Sequence, residues 1–368
     1  MSPALRKETV VGMIADPGLP MALARRLKVA LENFLGQELD NDTNWVVETE
    51  DFSLPVDRQG EVELTIHASQ LKDSYGWDYV VYLTDLPKYE HGEPLISSVN
   101  AASGSAVVVL PSLGFLRKRR LIRAVLQVLA VLHGVRDPYL LSGGRVSPRT
   151  DPLQVERRIE AADVNDDAFE TAKGWRGRAL LLLGMVRSNR PWRLVPSLST
   201  AMAAAVATGA FGVFYTSIWS MADFLPPLRL ALISIMSVLI MGSWLVLHNG
   251  LWELPTGGPQ REKRVIYNLA TLVTIFAAVL LMYLALFLVI LAGSLIIIDN
   301  QYLAMQLDHE VGLAEYVNLS WLAASLGTVA GAVGSSLDDE ESVRRATFSR
   351  REFERRQITL APGKEREG

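Results

Sequence analysis

Residues Val265 to Ile298 form a run of 34 without one charged side chain or histidine. Nothing else in the chain constrains its fold so strongly. A segment of this kind has no partner for its side chains in water, and crossing a bilayer core of roughly 30 Å takes about 20 apolar helical residues. As one straight helix the run would reach ~51 Å. No polar turn divides it, so it predicts one long crossing, tilted or protruding, and not two. Leu194–Trp219, Leu230–Leu247 and Tyr316–Leu337 meet the same length requirement. The expected layout is an α/β N-terminal domain, 1–141, then an all-α four-helix transmembrane domain at 194–337. Residues 142–193 hold a linker, a charged helix and an interfacial helix, and a charged tail occupies 338–368.

Orientation is read from lysine and arginine, which concentrate on the cytoplasmic side of short loops. Arg176, Arg178, Arg187, Arg190 and Arg193 precede the first span. Arg261, Lys263 and Arg264 lie between the second and third. Arg344, Arg345, Arg350, Arg351, Arg355 and Arg356 follow the fourth. These fourteen face one, Arg229, in the remaining two links. Both termini are expected in the cytoplasm of a multi-pass plasma-membrane protein, as an even number of spans also requires. The first residues hold no apolar stretch long enough for a signal peptide before Asp16 and Pro17. The chain has no cysteine, which excludes disulfides, thiolate metal sites, cysteine nucleophiles and acylation at cysteine. Its net charge of -4 argues against a general nucleic-acid partner.

Within the spans, Ala201, Ala205 and Gly209 recur at intervals of four, as do Ala323, Gly327, Gly331 and Ser335. Small residues at this spacing open a groove for a neighbouring backbone. Either the first and fourth spans pack together, or one forms a seam between copies. No ionisable group lies mid-span, where ion-coupled transporters place them, and no span has a Gly/Pro-broken centre. The membrane half therefore reads as an anchor. The link before the fourth span carries Asp299, Asp308, His309, Glu310 and Glu315 and no basic residue. Asp308, His309 and Glu310 offer donors suited to a divalent cation. The simpler reading is an acidic amphipathic turn at the surface.

Residues 8–134 alternate strand and helix patterns. Strands are expected at Glu8–Ala15, Trp45–Glu50, Trp77–Leu83 and Ser105–Leu110, with helices at Leu19–Leu35, Leu64–Tyr75 and Phe115–His133. Such alternation implies a mostly parallel sheet with helices on both faces. Ligands of open parallel sheets gather at the carboxyl ends of the strands, where Asp16 and Asp85 would approach each other. Two carboxylates there suit acid/base work or a metal, or each simply caps the turn that follows it. No GxGxxG, P-loop, GxSxG or paired histidine motif occurs, so no cofactor is expected. Arg117, Lys118, Arg119, Arg120 and Arg123 crowd the start of the third helix, against the helix dipole. The cluster suits anionic inner-leaflet lipid, a phosphorylated ligand or the acids Asp338–Glu341; a solvated basic face is the plain alternative. SGGRVSPRTDP (142–152) reads as a linker, and a charged helix is expected over Leu153–Lys173. WRGRALLLLGMVRSNRPW (175–192) has the profile of a helix lying in the membrane interface.

Four segments, VVGMIADPGLP, WDYVVYLTDLPKY, MVRSNRPWRLVPSLSTA and LSWLAASLGTVAGAVGSSLDDEESVRRATF, resemble an uncharacterised family of actinobacterial four-helix membrane proteins. That resemblance implies a bacterial inner membrane and supplies no activity. YLTDLP, AVVVLPSLG and RAVLQVLAVLHG also resemble the zincin fold of the archaemetzincin kind. That family needs HExxH on the helix; here the positions read Leu126-Gln127-Val128-Leu129-Ala130, with His133 beyond. The resemblance thus implies a degenerate domain turned to binding. The expectation is a non-enzymatic membrane module, anchored by its spans, that senses a ligand or docks a protein, with a homo-oligomer as a further expected assembly. The alternatives are an enzyme at the sheet edge acting on an anionic substrate, and a small transporter or channel.

Overall fold

Alternate residues of a buried strand face opposite sides of a sheet, so a strand covered on both faces must be apolar throughout. Tyr79–Thr84 and Ser105–Val109 follow this rule apart from the hydroxyls of their tyrosines, Thr84 and Ser105, and form the centre of the N-terminal unit. The computed structural model describes residues 7–55, 64–115, 118–135, 167–253, 261–350 and 352–354. They form two compact units, one within 1–188 together with 349–354, the other 189–348.

The first unit runs β1 (Lys7–Ala15), α1 (Leu19–Glu38), β2 (Thr43–Asp51), α2 (Leu64–Tyr75), β3 (Tyr79–Thr84), β4 (Tyr89–Glu90), β5 (Glu93–Asn100), β6 (Ser105–Val109), α3 (Lys118–Leu132), β7 (Asp167–Thr171) and α4 (Gly174–Asn189). Strand order is β2-β1-β3-β6-β5-β4, with β7 also on β5. β2, β1, β3 and β6 are parallel neighbours. β5 is antiparallel to β6, β4 and β7. The sheet is therefore mixed, which corrects the mostly parallel expectation. The antiparallel half escaped the pattern because Pro94 and the Ser97–Ser98 pair interrupt the apolar run of β5. β7 falls at the end of the expected helix Leu153–Lys173, whose residues 153–166 lie outside the described ones, as do the linker 142–152 and Arg117.

Helices cover both faces. Leu27, Leu31 and Leu35 of α1 and Leu121, Val125 and Leu129 of α3 meet Val81, Leu83, Ala106 and Val108 on one side. Leu64 beside α2's Leu71 meets Val80, Tyr82, Val107 and Val109 on the other. Trp77 lies flat on β1 at Gly12, where an added Cβ would sit 1.9 Å from the indole ring. Its Nε1 donates to Glu48 at 2.7 Å.

The second unit is helical: α5 (Leu194–Ser197), α6 (Ser199–Phe214), α7 (Thr216–Phe224), α8 (Pro227–His248), α9 (Arg261–Ile297), α10 (Asn300–Leu307), α11 (Leu313–Gly334) and α12 (Glu340–Thr347). α8, α9 and α11 with its 3₁₀ extension to Leu337 are long and apolar enough to cross a membrane. A fourth span exists if Gly174–Ser197 and Ser199–Phe214, bent at Leu198, count as one. The overlong helix is one piece, as expected: α9 is unbroken over 37 residues. One expectation changes here. The expected first span, Leu194–Trp219, breaks at Leu198 and again at Tyr215, where ψ is 112°. The second break frees the Gly212 carbonyl from its intrahelical partner, and Trp219 Nε1 donates to it at 2.9 Å.

Candidate functional site

Parallel register brings the ends of β1, β3 and β6 together. Ala15 pairs with Leu83, and Thr84 with Val109. The chain keeps pairing just beyond the strands: Asp16 N donates to the Leu83 carbonyl at 3.0 Å and Leu110 N to the Thr84 carbonyl at 2.9 Å. Asp16 and Asp85 are thus neighbours at the carboxyl edge. They do not form an open pair. Asp16 is wholly buried and Asp85 nearly so. The Asp16 carboxylate accepts from the Tyr82 hydroxyl, from Thr84 Oγ1 at 2.7 Å and from the Asp85 backbone N–H at 3.2 Å. Thr84 Oγ1 in turn accepts from Leu86 N at 3.1 Å. A buried carboxylate with three donors has its charge compensated. It ties β1 to β3 and shapes the turn after β3. Tyr82 and Thr84, two apart on one face of a strand, were the legible sign that both side chains point where Asp16 does.

The third edge segment, Pro111–Leu113, is a single 3₁₀ turn. Ser112 is buried, its hydroxyl without a hydrogen-bond partner among the described residues. α4 lies directly over this turn. A Cβ at Gly184 would come within 1.9 Å of the Pro111 carbonyl oxygen, and one at Gly177 within 2.1 Å of the Ala172 carbonyl oxygen. Leu181, between these glycines, and Met185, just after the second, are buried. The third segment of the edge expected to receive a ligand is covered by the chain's own helix.

Of the basic cluster, Lys118 and Arg119 are exposed. Arg120 is half-buried and donates to the Leu113 carbonyl at 3.0 Å, and Arg123 is also half-buried. The acids offered as its partner are engaged within their own unit. Asp338 accepts from Thr200 N at 3.0 Å and Ala201 N at 3.3 Å, capping α6 in place of Leu198, which has no cap to offer. Asp339 caps α12 through Ser342 N at 2.8 Å; hydrogen bonding by Ser342 holds its carboxyl below the usual value. Glu340 and Glu341 pair with Arg344 and Arg345 one turn on.

The small residues of α6 and α11 meet each other. A Cβ at Gly327 would lie 2.5 Å from the Ala205 carbonyl oxygen, and one at Gly331 3.0 Å from that of Ala201. A Cβ at Gly209 would strike Ile290 of α9 at 2.5 Å, with the Ala323 carbonyl at 3.6 Å. Ser335 is buried and returns its hydroxyl to the Ala332 carbonyl at 2.7 Å. This groove is filled from within the chain. Mid-span polarity is neutral and mutually bonded: Tyr283 OH lies 3.0 Å from both Ser234 Oγ and Ser325 Oγ, and Trp321 Nε1 donates to Ser234.

Asp308, His309 and Glu310 do not converge. Asp308 ends α10 in the left-handed conformation at φ 60°, and Asp299 caps the start of that helix. Glu315 accepts from Gly312 N at 2.7 Å. His309 turns instead to Asp223 at the end of α7, with Nε2 3.1 Å from Oδ2. Among the described residues, no group of three or more His, Asp or Glu side chains is placed to hold a metal. On α3, Val128, Leu129 and Ala130 are buried in the core, and His133 sits beyond them with Nδ1 3.2 Å from Tyr79 OH. Burial, then Asp78, raises the Tyr79 hydroxyl above its ordinary pKa.

Comparison with protein-family models, curated proteins and solved structures gives no match for this chain.

Proposed function

We propose that this protein is a multi-pass plasma-membrane anchor that displays a closed α/β domain to the cytoplasm as a docking module. Its arginine distribution supports both termini being cytoplasmic, with α6, beyond the bend at Leu198, beginning the first of four crossings and α4 staying with the domain. The observation that carries the reading is the Asp16 carboxylate, wholly buried and held by three donors. A general base has to reach a substrate proton, at hydrogen-bond distance or through one water. Asp16 is positioned to hold strands, and recognition falls to the outer surface of the domain. Neutral, internally bonded spans suit an anchor whose task is packing.

The test uses the full chain in a strain lacking it, under a condition where that strain is impaired. Asp85→Asn alone and Asp16→Asn with Asp85→Asn should both restore the phenotype when present at normal abundance. Complete loss of rescue by folded, normally abundant Asp85→Asn protein would instead favour an enzyme acting at this edge.

A further inference from the structure

α4 has two faces of different character. Gly177, Leu181, Gly184, Met185 and Ser188, spaced by three and four, are buried against the domain. The far side of such a helix in water is normally polar. Here Trp175 is 75% exposed and Leu183 48% exposed, beside exposed Arg176 and Arg178. Phe115, in the turn before α3, is 56% exposed. Each aromatic carries a guanidinium: Arg176 lies 5.6 Å from the Trp175 ring centroid and Arg187 5.1 Å from that of Phe115. Exposed Lys118 and Arg119 follow Phe115 by three and four residues.

We propose that this face of α4, with Phe115 and the first turn of α3, is a bilayer-contact surface selective for anionic phospholipid. Two observations choose lipid over another partner. The first is charge of one sign: α3 and α4 together hold seven basic residues and no acidic one. The second is continuity. α4 ends at Asn189 and the apolar helix α6 begins at Ser199, so a few residues join this face to the membrane-crossing part of the chain. Arginine beside an exposed indole or phenyl ring suits the headgroup layer, where the ring meets acyl chains and the cation meets phosphate. This inference rests on the proposed membrane placement of the helical unit, and identifies lipid as a partner of the domain.

The absence of cysteine permits single-site labels in the intact protein. Leu183→Cys, Ile66→Cys and Leu284→Cys are each labelled with bimane in full-length protein, in nanodiscs containing nitroxide-labelled lipid. Ile66 on α2 is 66% exposed and Leu284 on α9 is 48% exposed. The Leu183 label should be quenched in discs containing phosphatidylglycerol at low salt. Quenching should fall about twofold or more in phosphatidylcholine, at high salt, or with Lys118→Glu and Arg119→Glu added. The Ile66 label should stay unquenched and the Leu284 label quenched throughout. A quenched Leu284 with an unquenched Leu183 overturns the inference alone, as does a Leu183 label that responds only to a second copy in the disc. An unquenched Leu284 overturns the membrane reading and the inference together.

Discussion

The two units are held together by opposite uses of side-chain size. In the α/β unit, large side chains interlock between helix and sheet: Leu27, Leu31 and Leu129 are almost wholly buried against β1, β3 and β6. In the helical unit the decisive contacts are where side chains are missing. Gly327 on Ala205 and Gly331 on Ala201 bring the backbones of α11 and α6 into contact, and Gly242 receives Phe276 of α9. Burial from water drives the first kind of packing. Between apolar helices in lipid that drive is weak, and close van der Waals fit takes its place. The same leucine is therefore central in one unit and dispensable on the outside of the other.

The sharpest break of this comparison is a size exchange. Leu129→Ala in α3 should cost ~2–5 kcal/mol through lost burial and a cavity. Gly327→Leu in α11 should cost ~3 kcal/mol or more, because the atom met at 2.5 Å is a backbone oxygen that no rotamer change can move. Leu284→Ala, on an exposed face of α9, should change little. Unfolding of the full chain in mixed micelles reads all three. If Leu284→Ala matched Leu129→Ala while Gly327→Leu was tolerated, the comparison would be wrong.

Polarity differs as well. The α/β unit buries a carboxyl group and surrounds it with donors; among the described residues the spans bury hydroxyls, an indole and, near one end of α9, the Asn268 amide. Asp16→Ala would strand the Tyr82 and Thr84 hydroxyls and the Asp85 N–H, at about 3 kcal/mol in total. Asp16→Asn keeps one acceptor oxygen and should cost roughly 1–2 kcal/mol. Thermal melts of the full chain separate the two. Equal, negligible shifts would mean that Asp16 does not tie the strands.

Much of this was legible in the residues. Largely apolar β3 and β6, the α1 and α2 periodicities and the charge-free run of α9 each name their own structure, because burial on two faces or in lipid leaves little room for charge. β5 was hidden by Pro94, Ser97 and Ser98, although those serines lie on a strand paired on both sides. The break at Tyr215 has no charge or proline to mark it, and Trp219 from the next helix satisfies the freed carbonyl. Asp16 and Asp85 were legible as neighbours. What was not legible is that α4, some 70 residues beyond Pro111 in the chain, packs on the neighbouring Pro111 turn. A contact made through one glycine, Gly184, leaves no apolar pattern to read.

The smallest effect belongs to charge at the end of the helical unit. His309 Nδ1 faces the Glu310 carbonyl at 2.8 Å and Nε2 faces the Asp223 carboxylate at 3.1 Å. Both partners accept, so only the doubly protonated ring donates to each. The Glu310 hydrogen bond first, then that of Asp223, raises the His309 pKa above 6.5, with Glu315 adding a weaker pull. A group whose folded pKa is raised stabilises fully below its unfolded value and loses that contribution as pH rises through the folded one. The stabilising link between α7 and the α10–α11 turn is therefore complete below about pH 6.5 and fades on the alkaline side. Its side chain is 41% exposed, so the effect is small and screened by salt. Melting curves of wild type and His309→Asn should diverge at acid pH in low salt and converge as pH rises. Curves that stay parallel would reduce the contact to geometry without electrostatic consequence.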